Sequence, residues 1–164
     1  MTDSGQDAAA RSWMLELEAR RLHSGIRLDA EGRWWHRGEP IDHAGIAQAF
    51  HRWLARDAQG RYVLRTDRDW CTVEVADAPL VARSVEMRGD RAWLLLSDGT
   101  AEELDYDSLE QGDSNVLYSR ARRGWPIRFS RAAYYALTEH LDDSGPEPRL
   151  RLAGGEHAIA RRPR

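Results

Sequence analysis

The sequence contains no lysine: all 24 of its basic residues are arginine. A Schiff-base lysine, a P-loop lysine and a kinase-type lysine are therefore excluded, whether or not a GC-rich coding sequence is the plain cause of the bias. There is a single cysteine, Cys71, which rules out an internal disulfide and a cysteine-rich zinc site. No cationic segment precedes an apolar stretch, and no apolar run is long enough to cross a bilayer. The expectation is thus a cytoplasmic protein with no membrane partner. His36, His43 and His51 show neither H-x-x-x-H nor H-E-x-x-H spacing, so no metal site is expected. G-x-S-x-G, G-x-G-x-x-G and Walker sequences are absent, as is a Cys/His pair in motif context. A net charge of −3 argues against general duplex binding through a basic surface.

What is present is globular. Hydrophobic content of 41% with seven tryptophans over 164 residues suits one ordinary domain or two very small ones. Residues 1–6 read as a frayed end. From Asp7, the positions Ala10, Trp13, Met14, Leu17 and Arg21 form a helical stripe closed by Gly25, which defines an N-terminal segment 1–25. "IRLDAEGRWWHRG" predicts two short strands around a turn. A helix follows in "DHAGIAQAFHRWLARD", with Asp42 as N-cap, Ile46, Phe50, Trp53 and Leu54 on one face, and "DAQG" ending it. "RYVLRT" and "WCTVEV" predict strands split by "DRD". Asp77-Ala78-Pro79 interrupts the sheet pattern and sets a boundary, giving a first half 26–78 and a second half 79–143. The second half predicts three strands joined at Gly89-Asp90 and Asp98-Gly99, a strand in "NVLYSRAR", and a helix capped by Ser130 with Ala133, Tyr134, Leu137 and Leu141 on one face. Residues 144–164 are expected to form a hairpin around Gly154-Gly155 or a tail.

"RGEPI" at 37–41 returns as "RGWPI" at 123–127. Identity over so short a window carries nothing; context does. Both copies follow a strand, place a glycine where the chain must turn, and set a proline shortly before a helix. Duplication is the expectation. The stretch "EGRWWHRGEPIDHAGIAQAFHRWLARDAQGRYVLRT" followed by "VEVADAPLV" resembles the bacterial family called domain of unknown function 1285. Residues 31–142 carry the resemblance, with "YSRARRGWPIRFSRAAYYALTE" matching more loosely. Leu80, Ala76 and Trp125-Pro126 depart from the family pattern, and the segment from Gly145 has no counterpart in it.

The resemblance implies an α+β core in two related halves, a second half akin to pleckstrin-homology folds, a ligand site between the halves for a nucleotide-like compound, a signalling role and no established catalysis. The residues alone give the same class: mostly antiparallel sheets in two halves, each with a packed helix, plus the N-terminal helix.

Chemistry is concentrated in "RARRGWPIRFSR", residues 120–131, with five arginines, Trp125 and Phe129. Guanidinium groups beside an aromatic face suit a phosphate-bearing, stackable ligand. The plainer alternative is that these arginines pair with the six carboxylates of "AEELDYDSLEQGD" just upstream. His36, beside Glu39, is a ligand contact, a titrating switch or a structural histidine. Asp77 is a turn residue or a ligand contact. Arg61 falls within the family pattern at a strand start. The expected ligand-binding set is His36, Arg61, Asp77, Arg120, Arg123 and Arg131, with no catalytic residue and no cofactor. The expected function is a non-enzymatic module that binds or senses a small, nucleotide-like molecule. A nucleic-acid or acidic-protein adaptor using residues 120–131 and the terminal "ARRPR" is the alternative, and an enzyme pairing His36 with Asp77 is the third.

Overall fold

A computed structural model describes residues 3–163. Over the described residues the protein is α+β, with several mostly antiparallel sheets and three α-helices, one of them N-terminal. It divides into two compact units, one of residues 1–28 and 33–75, the other of residues 29–32 and 76–164.

The first unit begins with helix α1 (Asp3–Leu22), then β1 (Ile26–Leu28), β2 (Trp34–His36) and β3 (Glu39–Pro40). Helix α2 (Ala44–Trp53) runs directly into β4 (Leu54–Arg56), followed by β5 (Tyr62–Arg65), β6 (Trp70–Thr72) and β7 (Glu74–Val75). These strands make one sheet in the order β3-β2-β1-β7 and another in the order β4-β5-β6. Leu28, Trp34, Leu54, Val63, Leu64 and Val73 are among its buried apolar side chains. The Trp34 ring meets Phe50 edge-on at 5.3 Å and His51 at 5.2 Å, which seats α2 on the first sheet.

The second unit is built on the long hairpin β8 (Leu80–Arg88) and β9 (Arg91–Leu96), extended by β10 (Ala101–Glu103). After it come β11 (Glu110–Gln111), β12 (Leu117–Arg120), β13 (Pro126–Phe129), helix α3 (Arg131–Thr138) and β14 (Leu141–Asp142). The chain ends in β15 (Arg149–Leu152), β16 (Gly155–Ala158) and β17 (Ala160–Arg161). Seven strands form one sheet in the order β10-β9-β8-β13-β12-β11-β17. Its inner face is a single apolar cluster that includes Leu80, Leu94, Ile127 and Phe129 from strands and Leu137 from α3.

The repeated pentapeptide has the same local form in both places. Arg37-Gly38 turns β2 into β3 ahead of α2, and Gly124 turns β12 into β13 ahead of α3. Both glycines sit at positive φ, 85° and 82°, with no atom within 4 Å of where a Cβ would lie. It is the left-handed backbone, not crowding, that calls for glycine at each turn.

Several elements differ from expectation. Of the end predicted to fray over 1–6, residues 1 and 2 lie outside the described residues and the helix is already formed from Asp3. His43, not Asp42, caps α2: its ring nitrogen accepts from the Ile46 amide at 3.3 Å. The helix stops at Trp53 because Leu54–Arg56 pairs with β5, so sheet pairing overrides the helical period there. Ile46 and Trp53 are 44% and 40% exposed, so the apolar face of α2 is only partly covered. Ser130 does cap α3, accepting from Ala133 N at 3.1 Å. The C-terminal segment forms the hairpin alternative, turning through Ala153 and Gly154, and adds β17 alongside β11. No helix among the described residues is long and apolar enough to cross a membrane.

Candidate functional site

Alternation along β13 sets the site. Ile127 and Phe129 point into the core, so Arg128 must point to the opposite face of the central strand. Register places Tyr118 of β12 and Val81 of β8 opposite Arg128, so the three share that face. An arginine on a largely covered face needs partners, and it has them. Its Nη1 donates to the Ala30 carbonyl oxygen at 2.7 Å, its Nε lies 3.1 Å from Asp77 Oδ2, and Glu31 Oε1 is 3.6 Å away. Asp77 also accepts from the Tyr118 hydroxyl at 2.7 Å. Arg162, just past β17, lays its guanidinium 3.9 Å from the centroid of the Tyr118 ring and reaches to 4.0 Å from Asp77 Oδ1. Burial first, and then the adjoining Asp77 carboxylate, raise the Tyr118 phenol above its ordinary range, so it stays a donor.

Beside this cluster runs a cleft of about 720 Å³. Arg128 forms part of its wall, with Ser114 and Asn115 on one side and Arg131, Tyr134 and Tyr135 of α3 on the other. Ser114 and Asn115 are consecutive left-handed residues, φ 56° and 60°, which folds the β11–β12 connection into a tight rim. Tyr135 is 60% exposed. The volume falls within the range of about 300–1,000 Å³ that small-molecule sites occupy. The Arg128 and Arg131 guanidinium groups can meet an anion, with the Glu31 carboxylate also in the lining, and Tyr135, edge-on to Tyr134 at 5.6 Å, can offer a ring face to a flat group.

Of the residues expected to bind ligand, Arg131 lines this cleft and Asp77 holds the Arg128 that lines it. The other four lie elsewhere. His36 is exposed at the end of β2, opposite Glu39. Arg61 belongs to the first unit and is tied to Asp57 at 2.7 Å across the β4–β5 turn. Arg123 pairs with Asp98 at 3.2 Å and stacks 4.0 Å from the Trp125 centroid. Arg120 lies in a smaller groove with Arg122, Glu102, Glu103 and Asp105, and the Arg122 amide donates to Glu102. The acidic and basic blocks thus meet in this groove, while Arg120, Arg122 and Arg123 remain exposed. Arg128, Tyr118, Arg162, Tyr134 and Tyr135 were not read from the sequence as site residues. Arg128 entered only as one of the five arginines of residues 120–131, and Arg162 only within the terminal "ARRPR". No group of His, Cys, Asp and Glu with metal-binding geometry occurs among the described residues.

A two-unit α+β protein of this layout has known counterparts. One is a DUF1285 family protein from Silicibacter pomeroyi, with a TM-score of 0.69 and 21% identity over 83% of this chain and 79% of that one. Another is a DUF1285 family protein from Shewanella baltica, with a TM-score of 0.58 and 25% identity over 70% of this chain and 91% of that one. Residues 17–78 match the family model described as domain of unknown function (DUF1285), N-terminal domain. The resemblance read from the sequence is thus borne out by a family model over residues 17–78, and both similar structures are of DUF1285 family proteins. No protein of curated function matches it significantly.

Proposed function

We propose that the protein is a non-enzymatic binding module for a small organic anion bearing a flat, nucleotide-like ring, and that the cleft of the second unit is its site. One observation carries the reading: Arg128, Arg131, Tyr134 and Tyr135 share one cleft of about 720 Å³. Arg128 is already oriented by Asp77 and Ala30, so binding there would cost little ordering of that side chain. Arg131 is exposed on the first turn of α3 and supplies the more adaptable charge. A sensory role is part of this proposal.

The test is a thermal-shift and calorimetric screen against nucleoside phosphates, cyclic nucleotides and short RNA, at low and high salt. Ligand at a hundred times its dissociation constant adds roughly 2.7 kcal/mol, a shift of several degrees. Arg131→Ala is expected to weaken binding at least tenfold, while Arg120→Ala, in the separate acidic groove, leaves it unchanged. Equal affinity in wild type and Arg131→Ala would reject the cleft. A shift with RNA alone, lost at high salt, would replace the reading with the adaptor.

A further inference from the structure

One buried donor of the second unit is not explained by the packing around it. Arg128 Nε is shielded from solvent and lies 3.1 Å from Asp77 Oδ2, yet its N–H has no aligned acceptor among the described residues. A buried donor left in this state needs a reason. A carboxylate beside a guanidinium ordinarily turns to meet its N–H, because an aligned charge-assisted bond is among the stronger ones a protein makes. Here two other groups hold the carboxylate. The Tyr118 hydroxyl donates to the same Oδ2 at 2.7 Å, and the Arg162 guanidinium draws on Oδ1 from 4.0 Å.

Arg162 is brought there by β17. Ala160 N donates to the Leu109 carbonyl at 3.1 Å and Arg162 N to that of Gln111 at 2.9 Å, so residues 160–162 lie along β11 at the edge of the seven-stranded sheet. Ala160 and Arg161 are exposed. Two edge hydrogen bonds contribute little net free energy, and ordering three residues costs a comparable amount, so docking of this segment is close to balance. The Arg162 side chain tips it, with its guanidinium 3.9 Å from the Tyr118 ring centroid. The hairpin before it is anchored separately: the His157 ring stacks on Tyr106 at 4.6 Å, and its Nε2 is 3.1 Å from the Leu152 carbonyl oxygen. Residues 160–162 can therefore leave while β15 and β16 stay. The Tyr118 ring also rests against Gly112, where a Cβ would fall 2.8 Å from Tyr118 Cε2. Gly112 leads β11 toward the Ser114–Asn115 rim of the cleft.

We propose that residues 160–162 are a strap that sets the charge of the cleft. Docked, Arg162 shares Asp77 with Tyr118 and keeps the carboxylate out of line with the Arg128 Nε–H, which leaves Arg128 positive toward the cleft. Released, the strap lets Asp77 turn onto Nε, which neutralises Arg128 and weakens its hold on an anion. By linkage, an anion in the cleft favours the docked strap by the same factor. Arg162 lies outside the cleft lining and acts through Asp77, so it is a positioning residue. The coupling to ligand rests on the reading of the cleft given above; the control of Asp77 by Arg162 does not.

The Arg128 Nε–H resonance in nitrogen-15-labelled protein gives the first readout. In Arg162→Gln its proton should move downfield and exchange more slowly, as the bond to Asp77 forms. Arg162→Lys, which keeps the charge, should leave it near its wild-type position. Calorimetry with the 5′-monophosphates and 3′,5′-cyclic monophosphates of adenosine and guanosine is the second. Arg162→Gln should weaken binding about fivefold or more, and Arg162→Lys should restore it to within about twofold. An Arg128 proton that does not move in Arg162→Gln overturns the strap, whether or not a nucleotide binds. A proton that moves while affinity stays unchanged overturns the coupling. If none of the four nucleotides binds the wild type, the nucleotide reading of the cleft and the coupling both fall, and a moved proton still upholds the control of Asp77 by Arg162.

Discussion

The two units solve the same problem at different scales. In the second, a nine-residue strand, β8, pairs with the six-residue β9 and with β13, and the inner face closes on one apolar cluster. In the first, strands of two to four residues make two small sheets, and the helices keep much of their apolar surface in water: Trp13, Met14, Ile46 and Trp53 are all at least 40% exposed. The difference teaches that matching local motifs do not imply matching packing. "RGEPI" and "RGWPI" make the same strand–turn–strand–helix form, but β3 is the edge strand of its sheet while β13 lies between β8 and β12. A central strand buries both neighbours' side chains with its own; an edge strand of two residues does not. Stability should therefore be concentrated in the second unit.

The largest effect that can break this contrast comes from Phe129→Ala. Phe129 is 3% exposed on the inner face of β13, and its truncation should cost about 3–5 kcal/mol. Hydrogen exchange in wild type should show slower exchange across β8, β9 and β13 than across β4, β5 and β6. Equal protection in the two sets of strands would undo the comparison. Asp77→Ala comes next. It removes the carboxylate that faces Arg128 and the Tyr118 hydroxyl, leaving both on a mostly covered face, and should cost about 2–3 kcal/mol. Tyr118→Phe removes one hydrogen bond and keeps the ring under Arg162, so about 1 kcal/mol, a drop of roughly 2–4 °C in Tm, is expected. If Tyr118→Phe lowers Tm as much as Asp77→Ala, the carboxylate is not the centre of the cluster.

Much of the strand pattern was legible because alternation and hairpin glycines are local signals. The β8–β9–β10 meander and the cap at Ser130 follow from neighbouring residues alone. The end of α2 was not legible: Leu54 continues the helical stripe, and only pairing of Leu54 with Leu64 pulls it into a strand. The cap at His43 was hidden for a related reason, since aspartate is the better capper by type and the chain geometry chose its neighbour. The candidate site was legible only as a density of arginines. Which arginine matters depends on what stands opposite it, and Asp77, Tyr118 and Arg162 come together from positions up to 85 residues apart. Arg120 and Arg123 drew notice for their company with Trp125, yet Arg123 pairs with Asp98 and Arg120 lies beside carboxylates of the preceding block.

The smallest expected effect separates the units by acid. Asp57 and Asp69 belong to the first unit, Asp142 to the second, and all three carboxyls sit below the ordinary range. For Asp57, desolvation pushes upward but the Arg61 guanidinium and the Arg61 and Gln59 amides outweigh it. For Asp69 the Trp70 amide comes first and Arg21 second; for Asp142 the Ser144 hydroxyl and amide lead. A carboxyl held below its unfolded value contributes stability that is full above that value, near pH 4, and is lost as pH falls through the lower folded one. Tm should then be level from pH 7 to about 5 and fall below about pH 4. Asp69 is exposed, Asp142 is half-buried and Asp57 is covered within its own turn, and each bonds to neighbours at the unit's surface, so the change is modest. Because Asp69 also holds Arg21, acid should loosen the last turn of α1 ahead of the β8–β9 ladder. Hydrogen exchange of the α1 C-terminus at pH 3 and pH 6, with and without Asp69→Asn, reads this directly. Asp69→Asn should make the protection factors there, rates divided by the intrinsic rate at each pH, alike at the two pH values; a pH response in protection that survives the substitution would detach α1 from this ion pair.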